Sequence, residues 1–235
     1  MQGLPALGIE ECILLPVPST RGGVFLPGTG AGVDTVIDMV KDGTLTVGYS
    51  IPDEIKEKIL KRGGIVYDAC ADECFLVGNA ELTAIAALGI LLTTEKRVPR
   101  DITFGVVGYG RIGKELTRFL LFLGARVRVF TTRPDVRLLL SEFGVATSES
   151  VYSENLMGID ILLNTAPAKI FDTECTAFSE NMRVIDLASG NNFPAFPSVE
   201  TYPSIPARMY PESSGELLAE CALSYAERVL GEGGN

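Results

Sequence analysis

The chain contains no histidine. That absence excludes a Ser-His-Asp hydrolase, a zinc site built on imidazole and the usual 2-hydroxy-acid dehydrogenase, which protonates through histidine. Cysteine is sparse and odd in number: Cys12, Cys70, Cys74, Cys175 and Cys221, with no CxxC pair. No metal site is expected, and most of these thiols are expected as buried, reduced, small apolar side chains. Cys70 and Cys74 either share a helical face or flank a turn. Basic residues are outnumbered, 20 Lys and Arg against 30 Asp and Glu, for a net charge of −10. A nucleic-acid partner is therefore not expected, and an anionic ligand must be held locally, by cations or N–H groups, against the overall field. No unbroken apolar run reaches about 18 residues, so neither a membrane span nor a membrane partner is expected. The first residues lack the basic start of a secretion signal, so a cytoplasmic location is expected.

What is present reads as alternating strands and helices. With 235 residues, 46% of them hydrophobic, the chain suffices for one large or two small domains. Strands are predicted at Cys12 to Val17, Leu45 to Tyr49 and Ile65 to Asp68, with helices at Val33 to Lys41 and Asp53 to Lys61. The Ala/Leu-rich stretch Asn79 to Leu92 predicts a buried helix. Strands follow at Ile102 to Val107, Val127 to Phe130, Val145-Ala146, Ile159 to Asn164 and Arg183 to Leu187. Helices are predicted at Lys114 to Leu123, Val136 to Phe143 and Ser150 to Met157, with a helix or turn at Thr173 to Phe178. Ser204 to Tyr210 is expected to end in the sheet's last strand. Ser213 to Leu230 is expected as a helix capped by Ser213 or Ser214, with Glu216 in its first turn and Gly231 ending it. Its apolar residues, Leu217, Leu218, Cys221, Leu223, Val229 and Leu230, pack either on their own lobe or at a subunit interface.

Between a β-rich run and a helix stands Gly108-Tyr109-Gly110-Arg111-Ile112-Gly113. In that setting GxGxxG carries a mechanism: a tight turn at the first glycine, backbone approach to a pyrophosphate at the second, and close helix–strand packing at the third. The helix N-terminus then favours the phosphate charge. The fold expected is α/β, a Rossmann-type doubly wound parallel sheet with a second, smaller α/β lobe. Residues 1–78 form that N-terminal lobe on the substrate side and 79–98 a connecting helix. Residues 99–212 form the NAD(P)-binding domain, and 213–235 a C-terminal helix packing back across the lobes.

The end of the second strand of this unit selects the cofactor. NAD sites usually carry a carboxylate there; this chain has Thr131, Thr132 and Arg133, with Asp135 next. Hydroxyl donors and a planar guanidinium favour NADP, although NAD stays possible. The alternative is that Arg133 is an exposed loop arginine beside a helix start. Two further strand ends, Asn164-Thr165-Ala166-Pro167 and Asp186-Leu187-Ala188-Ser189-Gly190, belong to the same rim, because ligands of open parallel sheets sit beyond the C-terminal ends of the strands; the first reads as a loop over the adenosine and ribose side and the second as lying near the nicotinamide.

Four segments carry a family resemblance: Asn79 to Thr83, Gly108 to Gly113, Ile159 to Pro167 and Val184 to Ser189. Together they resemble the NAD(P)-binding subunit of dipicolinate synthase, over roughly residues 9 to 230. The resemblance implies a two-lobed oxidoreductase with the cofactor in a cleft. It implies work with a flavoprotein partner to oxidise a dihydrodipicolinate-type precursor to dipicolinate, the pyridine dicarboxylate of bacterial spores. It implies that Gly108 to Gly113 and Thr131 to Arg133 hold NADP, while Thr165 to Pro167 and Leu187 to Ser189 line the nicotinamide side. The implied setting is the mother-cell cytoplasm of a spore-former. Three segments depart from the family: the first lobe is shortened at its start, Gly190 to Phe193 replaces a Lys-Pro-Gly-Gly, and Ile205 to Gly215 replaces a Gly-rich, Lys-containing loop.

For a small anionic dicarboxylate substrate, the candidates are Ser19, Thr20, Arg21, Asn79, Thr83, Arg208, Ser213 and Ser214. Asn79 and Thr83 alternatively cap the connecting helix. Glu81, Lys169 and Asp186 are the candidate acid–base groups, and none is singled out. A homo-oligomer is expected. A module that holds NADP without catalysing alone, or another small-molecule dehydrogenase using Lys169 as proton relay, stays open.

Overall fold

The computed structural model describes residues 9, 11–16, 32–167, 182–188 and 199–232. The chain divides into two compact units, Met1–Gly78 with Glu212–Asn235, and Asn79–Pro211.

The first unit is built on a parallel sheet of β1 (Cys12–Leu14), β2 (Leu45–Gly48) and β3 (Ile65–Asp68), in that order. Both faces are apolar, and the two-residue alternation of a strand decides which side chain goes where. Leu45, Val47, Ile65 and Tyr67 pack with Phe75, Cys221, Ala222 and Ala226. Val66 joins the opposite cluster, with Val36 and Ile37 of α1 (Val33–Met39) and Ile55 and Ile59 of α2 (Asp53–Lys61). Pro52 precedes α2, and Gly63, at φ +80°, follows it.

The long helix α3 (Glu73–Thr94) starts well before Asn79. Asp72 provides the reason, since its Oδ1 accepts the Cys74 N–H at 2.9 Å, an N-cap bond. Asn79 is therefore a helix-interior residue and not a cap. Among the described residues α3 alone has the length and apolar composition of a membrane span, although no unbroken apolar run supplies it. Its Ala84, Ala86, Ala87 and Leu91 are buried with Phe104 and Val106 in the second unit's main core, as befits a core helix.

The second unit carries six strands: β4 (Thr103–Val107), β5 (Arg126–Phe130), β6 (Ala146–Ser148), β7 (Ile161–Asn164), β8 (Arg183–Asp186) and β9 (Glu200–Thr201). Their spatial order is β6-β5-β4-β7-β8-β9, with every pair parallel. This is the doubly wound order, and the direction of winding reverses between β4 and β7. Ile161 and Leu163 face one core, and Leu162 faces the other with Val107 and Phe130. The helices are α4 (Arg111–Phe122), α5 (Pro134–Glu142), a single turn α6 (Ser153–Leu156), shorter than the predicted Ser150 to Met157, and α7 (Ile205–Met209).

The stretch Ser204 to Tyr210 is helical, which corrects the strand expected at its end. Ser204 takes a left-handed φ of 52° and Pro206 stands in the first turn, where a missing N–H is harmless. The last strand is the two-residue β9 instead. The final helix, α8 (Pro211–Glu232), opens on a proline, so neither Ser213 nor Ser214 caps it, and it continues through Gly231. Its Leu217, Leu218, Cys221 and Leu223 join the first unit's core, while Val229 and Leu230 stay exposed. The cysteines are more varied than expected: Cys221 is buried, Cys12 and Cys70 are half-buried, and Cys74 is exposed. Cys70, in the turn Ala69–Ala71, and Cys74 flank a bend. Cys175 and the predicted Thr173 to Phe178 element lie outside the described residues.

Candidate nucleotide-binding site

The chain leaves β4 through Gly108, whose φ of +88° lies in the left-handed region that a side chain disfavours. Its N–H still donates to Phe130 O at 2.8 Å, so the pairing of β4 with β5 runs up to the turn. Gly110 is the N-cap of α4, with no side-chain cap. A Cβ on Gly113 would lie 2.2 Å from Gly108 O and 2.8 Å from Thr165 Oγ1, so only glycine lets the helix start so close to the turn. A Cβ on Gly110 would meet nothing within 4 Å. One glycine turns the chain, one faces open space and one permits contact, and these are the demands of a diphosphate cradle. The first-turn N–H groups of a helix have no partner within the helix, and its dipole adds positive potential there. These features fit a dinucleotide's phosphates. Tyr109 and Ile112 are partly buried against the main core, whereas Arg111 is exposed. Burial first, and Glu115 second, push the Tyr109 phenol above its ordinary pKa.

At the end of β5, Thr131 is buried, and its hydroxyl oxygen accepts the Arg133 N–H at 3.3 Å. Thr132 is exposed. The Arg133 guanidinium donates to Asp135 Oδ2 at 2.6 Å, both side chains being mostly exposed, and this bond lowers the Asp135 pKa. A 2′-phosphate at Arg133 would therefore compete with a neighbouring carboxylate. Arg137, not singled out in the sequence, donates to Thr131 O at 2.9 Å and pairs with Glu149 at 3.3 Å. The signal for it is its place one helical turn after Arg133, on the same face.

The ends of β7 and β8 are tied to the glycine turn and to each other. Thr165 Oγ donates to Val107 O at 2.9 Å, directly beneath Gly108 and Gly113. Asn164 and Asp186 are both buried, and Asn164 Nδ2 donates to Asp186 Oδ1 at 2.8 Å. Asp186 Oδ1 also accepts the Ala188 N–H at 3.1 Å. Leu187 is buried, Ala166 and Ala188 are half-buried, and Pro167 is exposed. Asp186, one of the acid–base candidates by sequence, is thus committed to holding loops. Asn164 and Asp186 open two of the strand ends that the sequence places on this rim; what the sequence does not show is that their side chains bond to each other.

Glu81 is exposed and lies 3.9 Å from Arg118, a surface ion pair. Thr83 is buried, and its hydroxyl donates to Asn79 O at 2.7 Å, the usual back-bond of a helix-interior threonine. Arg208 is exposed on α7 and Ser213 on α8, while Ser214 Oγ is buried without a partner among the described residues. Ser19, Thr20, Arg21, Lys169 and Ser189 lie outside the described residues. Among the described residues no group of three His, Cys, Asp or Glu could hold a metal ion.

A doubly wound parallel sheet with a glycine turn at its reversal point defines a Rossmann-type fold, whose ligands sit beyond the C-terminal ends of the strands. No protein-family model matches the chain, and no curated protein matches its sequence. Among solved structures it is similar to a dipicolinate synthase subunit from Bacillus halodurans, with TM-score 0.75 and 18% identity over 92% of this chain and 79% of that one. The corresponding dipicolinate synthase chain from Bacillus subtilis gives 0.74 and 19%, over 94% and 79% of the two chains. A transhydrogenase from Sinorhizobium meliloti gives 0.65 and 15%, over 97% and 87%. The resemblance read from the four sequence segments therefore extends to the fold.

Proposed function

We propose that the chain is an NADP-dependent oxidoreductase that acts on a small anionic dicarboxylate, a dihydrodipicolinate-type precursor, and yields dipicolinate. The single observation behind this reading is the cradle of Gly108, Gly110 and Gly113 at the N-terminus of α4. Bound nicotinamide supplies the hydride acceptor. Aromatisation of the substrate ring supplies driving force, so alignment matters more than a strong enzymic base. The chain's own work is to hold the phosphates on N–H groups, the ribose on Thr131 to Arg133 and the ring side on Thr165 to Pro167 and Leu187 to Ser189. Arg208, together with Arg21 and Lys169, supplies the cations for substrate carboxylates. The reading includes a homo-oligomer in the cytoplasm of a spore-forming mother cell.

One observation favours a second reading. Glu81 sits in a surface ion pair, and Asp186 is bonded to Asn164 and Ala188, so both described candidate acids are engaged elsewhere. A protein that holds NADP while a flavoprotein partner completes catalysis fits this arrangement. The test is titration calorimetry of the purified chain with NADP and NAD. Enzymatically generated dihydrodipicolinate is then added, with and without the flavoprotein, while reduced nicotinamide and pyridine product are followed by absorbance. Turnover by the chain alone supports the first reading; NADP binding with turnover only when the flavoprotein is added supports the second; no binding of either nucleotide refutes both.

Cofactor choice gives a separate expectation. An arginine–phosphate bond is worth about 1.5–3 kcal/mol, and competition from Asp135 places Arg133 at the lower end. Arg133→Ala should weaken NADP about tenfold and leave NAD nearly unchanged. Equal losses for the two nucleotides would mean that Arg133 does not read the 2′-phosphate.

A further inference from the structure

We infer that Asn164 and Asp186 form a positioning pair that sets the nicotinamide end of the site, acting through the backbone of residues 165–166 and 187–188. The inference rests on the nucleotide-binding reading above and deepens it. The two residues are register partners at the last positions of β7 and β8, exposed by 0% and 3%. Each uses its side chain on the loop that follows its own strand. Asn164 Oδ1 accepts the Ala166 N–H and Asn164 Nδ2 donates to Ala166 O, both at 3.2 Å. Asp186 Oδ1 accepts the Ala188 N–H at 3.1 Å. The 2.8 Å bond between the side chains then joins the two folded-back loops into one piece. The main chain reinforces the link, since Leu187 N donates to Asn164 O at 2.9 Å.

The position within the sheet assigns the consequence. In the doubly wound order the adenosine half of a dinucleotide lies over the first three strands, here β4, β5 and β6, and the nicotinamide half lies past the reversal point. β7 and β8 are the first two strands on that far side. A buried, satisfied polar network is rigid, and a partly satisfied one is destabilising. The pair therefore fixes two loops on the nicotinamide side. β4 separates both strands from β5, whose end carries Thr131 and Arg133 on the adenosine side.

The test compares two ligands on the full chain by titration calorimetry: NADP, and 2′-phospho-ADP-ribose, which is the same molecule without the nicotinamide. Asn164→Asp places two carboxylates in contact and removes the donor between them. It should weaken NADP about tenfold, the equivalent of one lost hydrogen bond of this class, and 2′-phospho-ADP-ribose by several-fold less, its smaller loss arising because Thr165 and Ala166 also pack under the glycine turn. The exchange of the two residues, Asn164→Asp with Asp186→Asn, restores a donor and an acceptor across the same gap and should recover most of the NADP affinity. Asp186→Asn alone keeps an acceptor for Ala188 and should fall between. A merely structural role would lower Tm and move both ligands together, and that outcome overturns the inference, as does a selective loss that the exchange fails to recover. If the unaltered chain binds neither ligand, the nucleotide-binding reading fails first, and the inference with it.

Discussion

Gly113→Ala is expected to reduce NADP affinity by at least about 100-fold and to lower stability at the same time. The added methyl would stand 2.2 Å from Gly108 O and 2.8 Å from Thr165 Oγ1. The first obstacle is backbone, so the methyl cannot be accommodated by a rotamer change, and α4 or the turn has to move. Forcing such a group into a packed site costs about 1–3 kcal/mol. The same movement misaligns the first-turn N–H groups. Losing two charge-assisted bonds of about 1.5–3 kcal/mol each removes at least the 2.7 kcal/mol or so that corresponds to 100-fold. Gly110→Ala separates the two effects. Gly110 has φ −81°, which any residue adopts, and open space where the methyl would go. That variant should keep the parent Tm and still lose nucleotide affinity, because the methyl occupies the path of the diphosphate. Calorimetric titration and thermal melts of both variants decide the matter. Parent-like NADP binding by Gly110→Ala would show that the open face of the turn is not where a diphosphate lies.

Much of this architecture is legible in the sequence because local rules and the global fold agree. Ile65 to Asp68 and Asp53 to Lys61 appear with the bounds that a short apolar run and the Pro/Gly punctuation give them. The glycine turn is legible for the same reason, since each glycine answers a backbone requirement. What is not legible depends on one side chain or on distance. The start of α3 is set by a single carboxylate, Asp72, and a cap well upstream of the Ala/Leu-rich stretch leaves no mark on its periodicity. Ser204 to Tyr210 looks extended because Ile and Tyr suit strands and a proline discourages a helix interior, and the left-handed Ser204 that starts the helix has no sequence signature. The Asn164–Asp186 bond joins residues 22 apart. Only the parallel pairing of β7 and β8 brings them together, although the sequence does show two polar residues ending two apolar strands.

The second large effect belongs to the first unit, at Asp68, where Asp68→Ala is expected to destabilise that unit by about 3 kcal/mol. Asp68 ends β3, and its side chain is only 6% exposed. Its carboxylate accepts the N–H groups of Ser50 at 2.7 Å, Ile51 at 3.1 Å and Cys70 at 3.3 Å, and lies 2.8 Å from Lys56 Nζ. Ser50 has a left-handed φ of 57°, a conformation that a non-glycine residue holds only when its surroundings insist. The backbone N–H groups outweigh the ion pair in this count. The Lys56 side chain is 29% exposed, so water screens its attraction, and Lys56→Met should cost about 1 kcal/mol or less. Burial raises the Asp68 pKa, but Lys56 and the N–H groups of Ser50 and Cys70 prevail, and the net value lies below the ordinary 3.8. The folded state therefore resists protonation. The stabilisation is complete above the ordinary carboxylate value and drains away as pH falls through the lower, folded value. Lys56 is raised above its ordinary 10.5, chiefly by Asp68, so its smaller share persists below that value and disappears as pH climbs past the raised one. Hydrogen exchange at the amides of β2 and β3 reads the first unit by itself. Protection in the parent chain should fall on acidification below about pH 4, whereas Asp68→Ala should start lower and show little further loss over that range. If Lys56→Met proves as damaging as Asp68→Ala, the ion pair and not the three N–H bonds anchors the turn at Ser50.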